Sequence, residues 1–276
     1  MQPHVTKNMR QMYISDSGLM TFGGHLDVMR RMFFRILAIT FVVGVAVFCC
    51  KETVFKLLLA PCNSGFVTYR FIERLAEIAG FNYRFEPFRV QLINTELSSQ
   101  FMLHMSTSAC LALLFASPYV LMELYRFITP ALYAGERRYS VPVCVAVYML
   151  FMLGVTASYF ILFPFALRFL GTYQVSPDVV NQINISSYIS TFTTTTLLMG
   201  LVFQLPVLSF ILAKFGLLKS AFMKRYRRHA LVLILVVAAV ITPPDVFTQT
   251  MVALPMYGLY EVGILIAGKV ERTDKM

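Results

Sequence analysis

Six stretches of the chain are too apolar to have water as their solvent. They run 33–50, 101–124, 141–167, 193–215, 230–241 and 248–267. Hydrophobic residues make up 58% of the chain and charged residues 14%, where a soluble domain carries about a quarter charged. Bilayer hydrocarbon, about 30 Å thick, takes roughly 20 apolar residues per helix. The runs are continuous rather than alternating, so they read as helices and not as strands of a barrel. Lipid offers no partner to backbone N–H and C=O groups, which demands the same. The expected fold is all-α: one polytopic membrane domain, 1–276, with six transmembrane helices.

Basic residues orient the bundle. Of the 24 Lys and Arg, seven fall on one side: Lys51, Lys56, Arg70, Arg74, Arg84, Arg89 and Arg168. The others collect around the start of the first run, between runs two and three, between runs four and five (Lys224, Arg225, Arg227, Arg228), and after the last run. Both termini are therefore expected in the cytoplasm, with 1–32 a cytoplasmic segment and 51–100 an outer loop. The net charge of +10 reads as this orientation signal rather than a nucleic-acid footprint, and no nucleic-acid partner is expected. The first run begins past Arg31 and is long enough to stay, so no cleavable signal peptide is expected. Cys110 and Cys144 sit mid-span as small hydrophobes. Cys50 and Cys62 lie near the outer surface, either bridged or as free thiols.

Pro118, Pro164, Pro206 and Pro255 fall inside runs. Each removes a helix hydrogen bond and favours a kink, which suits a concave wall better than a straight bundle. The fifth run is short: twelve residues reach only about 18 Å. Pro243 and Pro244 then stop it. A thinned or water-accessible patch is expected around spans five and six.

Polar groups inside spans are costly and therefore candidate sites. Gln204 sits mid-span beside Pro206, whose freed carbonyls its amide can bond; a partner contact is the other reading. Glu261 lies well into the sixth run, in reach of a neighbouring hydroxyl or, by bending, of Lys269 or Arg272. Asp245 follows the Pro-Pro turn and is expected to cap the sixth helix. Glu123 lies near the cytoplasmic end of the second run and is expected to be solvated. In the outer loop, Phe66, Tyr69, Phe71, Ile72, Leu75, Ile78 and Ala79 recur at helical spacing, opposite Arg70, Glu73, Arg74 and Glu77, and Gly80 ends the pattern. This predicts an amphipathic helix, either on the outer membrane surface or capping the bundle. A shorter helix over 53–60 is expected to stop at Pro61. His4, His25, His104 and His229 have no metal-ligand spacing, and there is no phosphate loop, nucleophile elbow or dinucleotide loop. No catalytic residues, metal or cofactor are expected.

Four blocks then carry a resemblance. The first is Phe22-x-x-His25-Leu26-x-x-x-Arg30-Arg31. The second is Phe127-Ile128-Thr129-Pro130-Ala131-Leu132-Tyr133 with Glu136-Arg137-Arg138. The third is Tyr159-Phe160-x-x-Phe163-Pro164. The most specific is Ile241-Thr242-Pro243-Pro244-Asp245-Val246-Phe247-x-Gln249, continuing to Pro255-Met256-Tyr257 and Tyr260-Glu261. In this order the chain resembles the TatC family, the signal-receptor subunit of the twin-arginine protein translocase, from about Thr21 to Gly268. The resemblance implies a bacterial inner-membrane protein that exports folded cargo on the proton-motive force. It also implies single-pass TatA- and TatB-type partners and further copies of the chain in the assembled complex.

The resemblance further implies that the cytoplasmic face reads an Arg-Arg signal peptide. Glu136 would accept an arginine; the residues alone favour pairing with Arg137 or Arg138, or solvation. Phe127, Leu132 and Tyr133 would line the apolar side of that site, or serve as interfacial anchors. The first block departs from the family: Val28 stands where a glutamate is usual. Asp27 either replaces it or, rotated by about 100°, faces water; Arg30 lies one turn on. Pro61, Pro243, Pro244, Asp245 and Gln249 are expected to shape the outer turns. Gln204 takes the position of a polar wall residue associated with the partner subunits, although an amide cannot relay a proton. The alternatives are a secondary transporter, which would show inverted repeats and several midplane charges, and a ligand-free scaffold.

Overall fold

The computed structural model describes residues 22–81, 90–128, 140–174, 176, 181–242 and 245–273. Helix α1 is Phe22–Cys49, α2 is Lys51–Leu58 and α3 is Val67–Ile78, with a 3-10 turn at Ala60–Cys62 between the last two. Helix α4 is Ser99–Ile128. The third apolar run is α5, Ser140–Ala157, then a π-helical stretch, Ser158–Leu162, then α6, Phe163–Thr172. The fourth run is broken into α7, Ile185–Val202, and α8, Leu205–Lys214, because Pro206 opens the second half. Helices α9, Ser220–Arg225, α10, Arg227–Ile241, and α11, Val246–Thr273, complete the chain. Strands β1, Leu92–Ile93, and β2, Ile183–Asn184, pair in parallel for two residues in the loops that lead into α4 and the fourth run.

Among the described residues, five helices are long and apolar enough to cross a membrane: 26–49, 99–124, 142–172, 185–214 and 246–272. Helix α10 falls short of that length at 15 residues, about 22 Å. It starts one turn before the apolar run, at Arg227. The lipid side is evident from what stays uncovered: Phe33, Phe34, Leu37 and Phe41 on α1, and Val232, Leu233, Val236 and Val240 on α10.

Packing is set by small residues. Helix α1 lies along α4, α5 along α7, and α11 along α8 and α10. A Cβ on Gly154 would lie 2.6 Å from the Met199 carbonyl oxygen, and one on Gly200 would lie 2.7 Å from the Phe151 ring. The α5–α7 contact is thus backbone against backbone, the usual device where lipid removes the hydrophobic drive between helices. Gly263 does the same for α11 against Ser209.

The prolines leave carbonyls without donors, and other residues satisfy them. Ser117 donates to the Leu114 carbonyl, 2.6 Å away, which Pro118 cannot reach with a donor. Pro164 has no N–H for the Phe160 carbonyl, and the Thr68 hydroxyl of α3 donates there instead. Tyr69 adds a bond to the Pro164 carbonyl at 2.8 Å. Two residues of α3 therefore complete the third span. Thr68→Val keeps the shape and removes one donor, which should cost about 1–3 kcal/mol. A thermal unfolding series in detergent checks it, with Thr68→Ser expected to restore most of the loss.

Candidate functional site

At the end of the bundle where α1 begins, Asp27 and Arg30 stand one helical turn apart. Their 3.5 Å contact is loose, and their side chains are 61% and 69% exposed. Val28 beside them is also exposed. Phe127 lies in the last turn of α4, the helix that packs along α1. Leu132, Tyr133 and Glu136 lie outside the described residues. Of the expected contact residues, the structure thus brings Asp27 and Arg30 together and sets Phe127 on the neighbouring helix.

Glu123 corrects an expectation. It is 4% exposed, not solvated. Arg35 of α1 donates to its Oε1 at 3.3 Å, and the Tyr119 hydroxyl donates at 2.9 Å. Sequence reasoning missed this pair because its members are 88 positions apart. The signal available was Arg35 itself, a cation on a helix otherwise facing lipid, which needs a counter-charge.

Midway through the bundle, the Gln204 amide donates to the Val147 carbonyl of α5 at 3.0 Å. It does not bond a carbonyl released by Pro206; it ties the break between α7 and α8 to the neighbouring span. Beside it runs an apolar groove lined by Pro142, Ala146, Leu150, Pro206, Phe210 and Ile266. Glu261 pairs with neither Lys269 nor Arg272. Its partner is Arg227, at 2.6 Å, the first residue of the short α10. The pair pins the start of α10 to the middle of α11.

At the opposite end, Asp245 accepts from the Thr248 backbone N–H at 2.7 Å and from the Thr248 hydroxyl. This caps α11, satisfying donors that the first helical turn leaves open. Gln249 donates to the Leu235 carbonyl at 3.0 Å, holding α10 against α11. Pro243 and Pro244 lie outside the described residues. Pro61 is buried in the 3-10 turn that follows α2, which itself ends at Leu58. Cys50 and Cys62 are both free. Burial pushes the Cys62 thiol above its ordinary range, against a smaller opposite effect of its hydrogen bond with Tyr188, so it stays protonated and unreactive.

This frame of helices, with its Pro-stopped short helix and its glycine-mediated contacts, was compared with known proteins. The family model described as "Sec-independent protein translocase protein (TatC)" matches residues 24–255. The chain belongs to the TatC family. A TatC protein of Blattabacterium is 31% identical over 257 residues, covering 92% of this chain and 97% of its own. One of Campylobacter jejuni is 32% identical over 91% of this chain and 95% of its own. One of Escherichia coli K12 is 34% identical over 64% and 68%. A crystal structure described as the twin arginine translocase receptor TatC superposes with a TM-score of 0.71. It is 27% identical and covers 90% of this chain and 99% of that one. The TatC resemblance carried by the four sequence blocks is therefore the family relationship itself. This TatC chain is a multi-pass membrane protein, a component of twin-arginine protein transport and not an enzyme.

Proposed function

We propose that this chain is the receptor and core subunit of its translocase, binding Arg-Arg signal peptides at the cytoplasmic face. The observation that carries the reading is Asp27: a carboxylate held outside the bundle by one loose contact, at the end where basic residues collect. Guanidinium groups are planar and permanently charged, so a carboxylate can take them bidentately where an ammonium offers only a point charge. Glu136 supplies a second acceptor, and Asp27 stands in for the glutamate that Val28 replaces. Phe127, Leu132 and Tyr133 provide apolar contact for the rest of the peptide.

Single-pass TatA- and TatB-type helices dock on the bundle, and the apolar groove beside Gln204 is a surface suited to a lipid-embedded helix. Further copies of the chain join the complex, and folded cargo crosses on the proton-motive force. The chain lies in the bacterial inner membrane with six spans and both termini inside, a reading supported by the distribution of Lys and Arg.

The test is binding of an Arg-Arg signal peptide to the detergent-purified chain beside a Lys-Lys version. A charge-assisted bond of about 1.5–3 kcal/mol predicts that Glu136→Ala and Asp27→Asn each weaken Arg-Arg binding about ten- to hundredfold. Val28→Glu should rescue Asp27→Asn. Equal binding of the two peptides, unchanged by either substitution, would overturn the receptor reading. Loss with Glu136→Ala but not with Asp27→Asn would leave the receptor and remove Asp27 from it.

A further inference from the structure

We infer that α3 lies in one leaflet of the bilayer, its exposed apolar stripe against the acyl chains and its charged edge at the headgroups. The first turn of α3 is docked on protein: Phe66, Thr68 and Tyr69 are buried, with Thr68 and Tyr69 bonded to the third span, and Ile72 and Ala76 farther along the docked side are half-buried. On another face of the same helix, Val67, Phe71, Leu75 and Ile78 are 64%, 59%, 48% and 83% exposed. At about 100° per residue these four share an arc of about 80°. One flank of that arc is the docked side, with Thr68 and Tyr69. The other carries Arg70, Glu73, Arg74 and Glu77. The helix ends with the Phe81 N–H bonded to the Ala76 carbonyl across Gly80, at φ +81°, and Phe81 extends the apolar stripe at 70% exposed.

A 12-residue helix is marginal in water unless its apolar face is covered, and among the described residues this face stays open. The level of attachment says what does. The third span runs Pro142–Thr172, and about 30 Å from Pro142, the thickness of bilayer hydrocarbon, falls near Leu162. Helix α3 is bonded at Phe160 and Pro164, on either side of that point, and the Tyr159 hydroxyl holds α2 at the same level through the Leu57 carbonyl. Phe66 stacks on Phe160, and both Phe160 and Ile161 are open to the lipid side of the span. The stripe on α3 therefore continues the lipid-facing surface of the bundle at the hydrocarbon boundary. Two Arg and two Glu on its charged edge cancel, so zwitterionic lipid suffices and anionic lipid adds no attraction.

The sequence contains no tryptophan, so a single introduced one is a unique probe. The full chain carrying Phe71→Trp, Ile78→Trp or Glu77→Trp is reconstituted in phosphatidylcholine vesicles, with or without bromine on the acyl chains near the headgroup. Burial of the stripe about 5–10 Å into the boundary region predicts at least about twofold quenching for Phe71→Trp and Ile78→Trp and little for Glu77→Trp. Aqueous iodide should reverse that order, and added phosphatidylglycerol should change neither. Equal quenching at all three positions, or iodide quenching of the stripe, overturns the inference. Loss of bromine quenching together with concentration-dependent cross-linking through the stripe would overturn it in favour of a second copy of the chain as the covering surface.

Discussion

Gly154→Ala is expected to be among the most damaging single-carbon changes in this protein. Its Cβ would lie 2.6 Å from the Met199 carbonyl oxygen and 2.9 Å from the Phe203 ring. The Met199 carbonyl, in the last turn of α7, already accepts from the Phe203 N–H at 3.0 Å and cannot move without moving the helix end, so α5 and α7 must separate. Overpacking of this kind costs about 1–3 kcal/mol and occasionally more, and separation also forfeits the close contacts that hold helices together in lipid. Gly200→Ala is expected to cost less, because the obstacle at 2.7 Å is the rim of the Phe151 ring, which can turn. Gly258, with open space around its position, is the control: Gly258→Ala should gain up to about 1 kcal/mol through helix propensity. Thermal unfolding in detergent should rank the four proteins Gly258→Ala, parent, Gly200→Ala, Gly154→Ala in falling stability. Equal melting of the two glycine-contact variants would mean that α7 yields where this packing says it cannot.

Arg35→Leu should have the other large effect, and its signature is non-additivity. Removing the guanidinium leaves the Glu123 carboxylate in place, 4% exposed, without the cation 3.3 Å away. Glu123 is buried but the Arg35 side chain is 56% exposed, so the one-sided loss is expected below the about 3–5 kcal/mol of a fully buried pair, whereas replacing both members by apolar residues is often neutral. The double substitution Arg35→Leu with Glu123→Leu is therefore expected to be more stable than Arg35→Leu alone. The Tyr119 hydroxyl, which donates to the same oxygen, moderates the single loss without removing it. A double-mutant cycle on urea or thermal unfolding measures the coupling. Additive losses would show that the two side chains are held by other groups and merely lie near each other.

The elements legible in the sequence are those with local causes. Continuous apolar runs became the long helices, because run length against bilayer thickness is a property of the run alone. Asp245 acts three residues from its own position, and its capping bond to Thr248 follows the same short-range logic. What stayed hidden depends on partners far along the chain. Glu123 reads as solvated because it lies near the cytoplasmic end of its run and can reach the headgroups, while Arg35 is 88 positions away. Glu261 reads as bonding a neighbouring hydroxyl or, by bending, Lys269 or Arg272 of its own helix, and Arg227 reaches it from the start of α10. Gln204 reads either as bonding the carbonyls of its own kink or as a partner contact, and it crosses to Val147. For Gln204 and Glu261 the need for a partner is legible, since lipid supplies none, but the partner itself is not; for Glu123 even the need is hidden. Thr68 carried no flag at all: a hydroxyl in an outer loop reads as solvated until the donor missing at Pro164 is set beside it.

The π-helical stretch at Ser158–Leu162 acts as a phase slip in the third span. A single extra residue there offsets everything beyond it by about 100° relative to an unbroken helix. Beyond the slip α6 keeps contact with α7 through Phe163 while its Pro164 carbonyl is turned to α3, so one rod serves two neighbours. Below the slip it packs against a span by close backbone approach. Above it Phe163 meets Tyr188 and Phe192 edge to face, and the Pro164 carbonyl is aimed at Tyr69. Any helical wheel drawn across residues 142–172 as one helix will misassign about half of its positions, and the length of the run gives no warning of it.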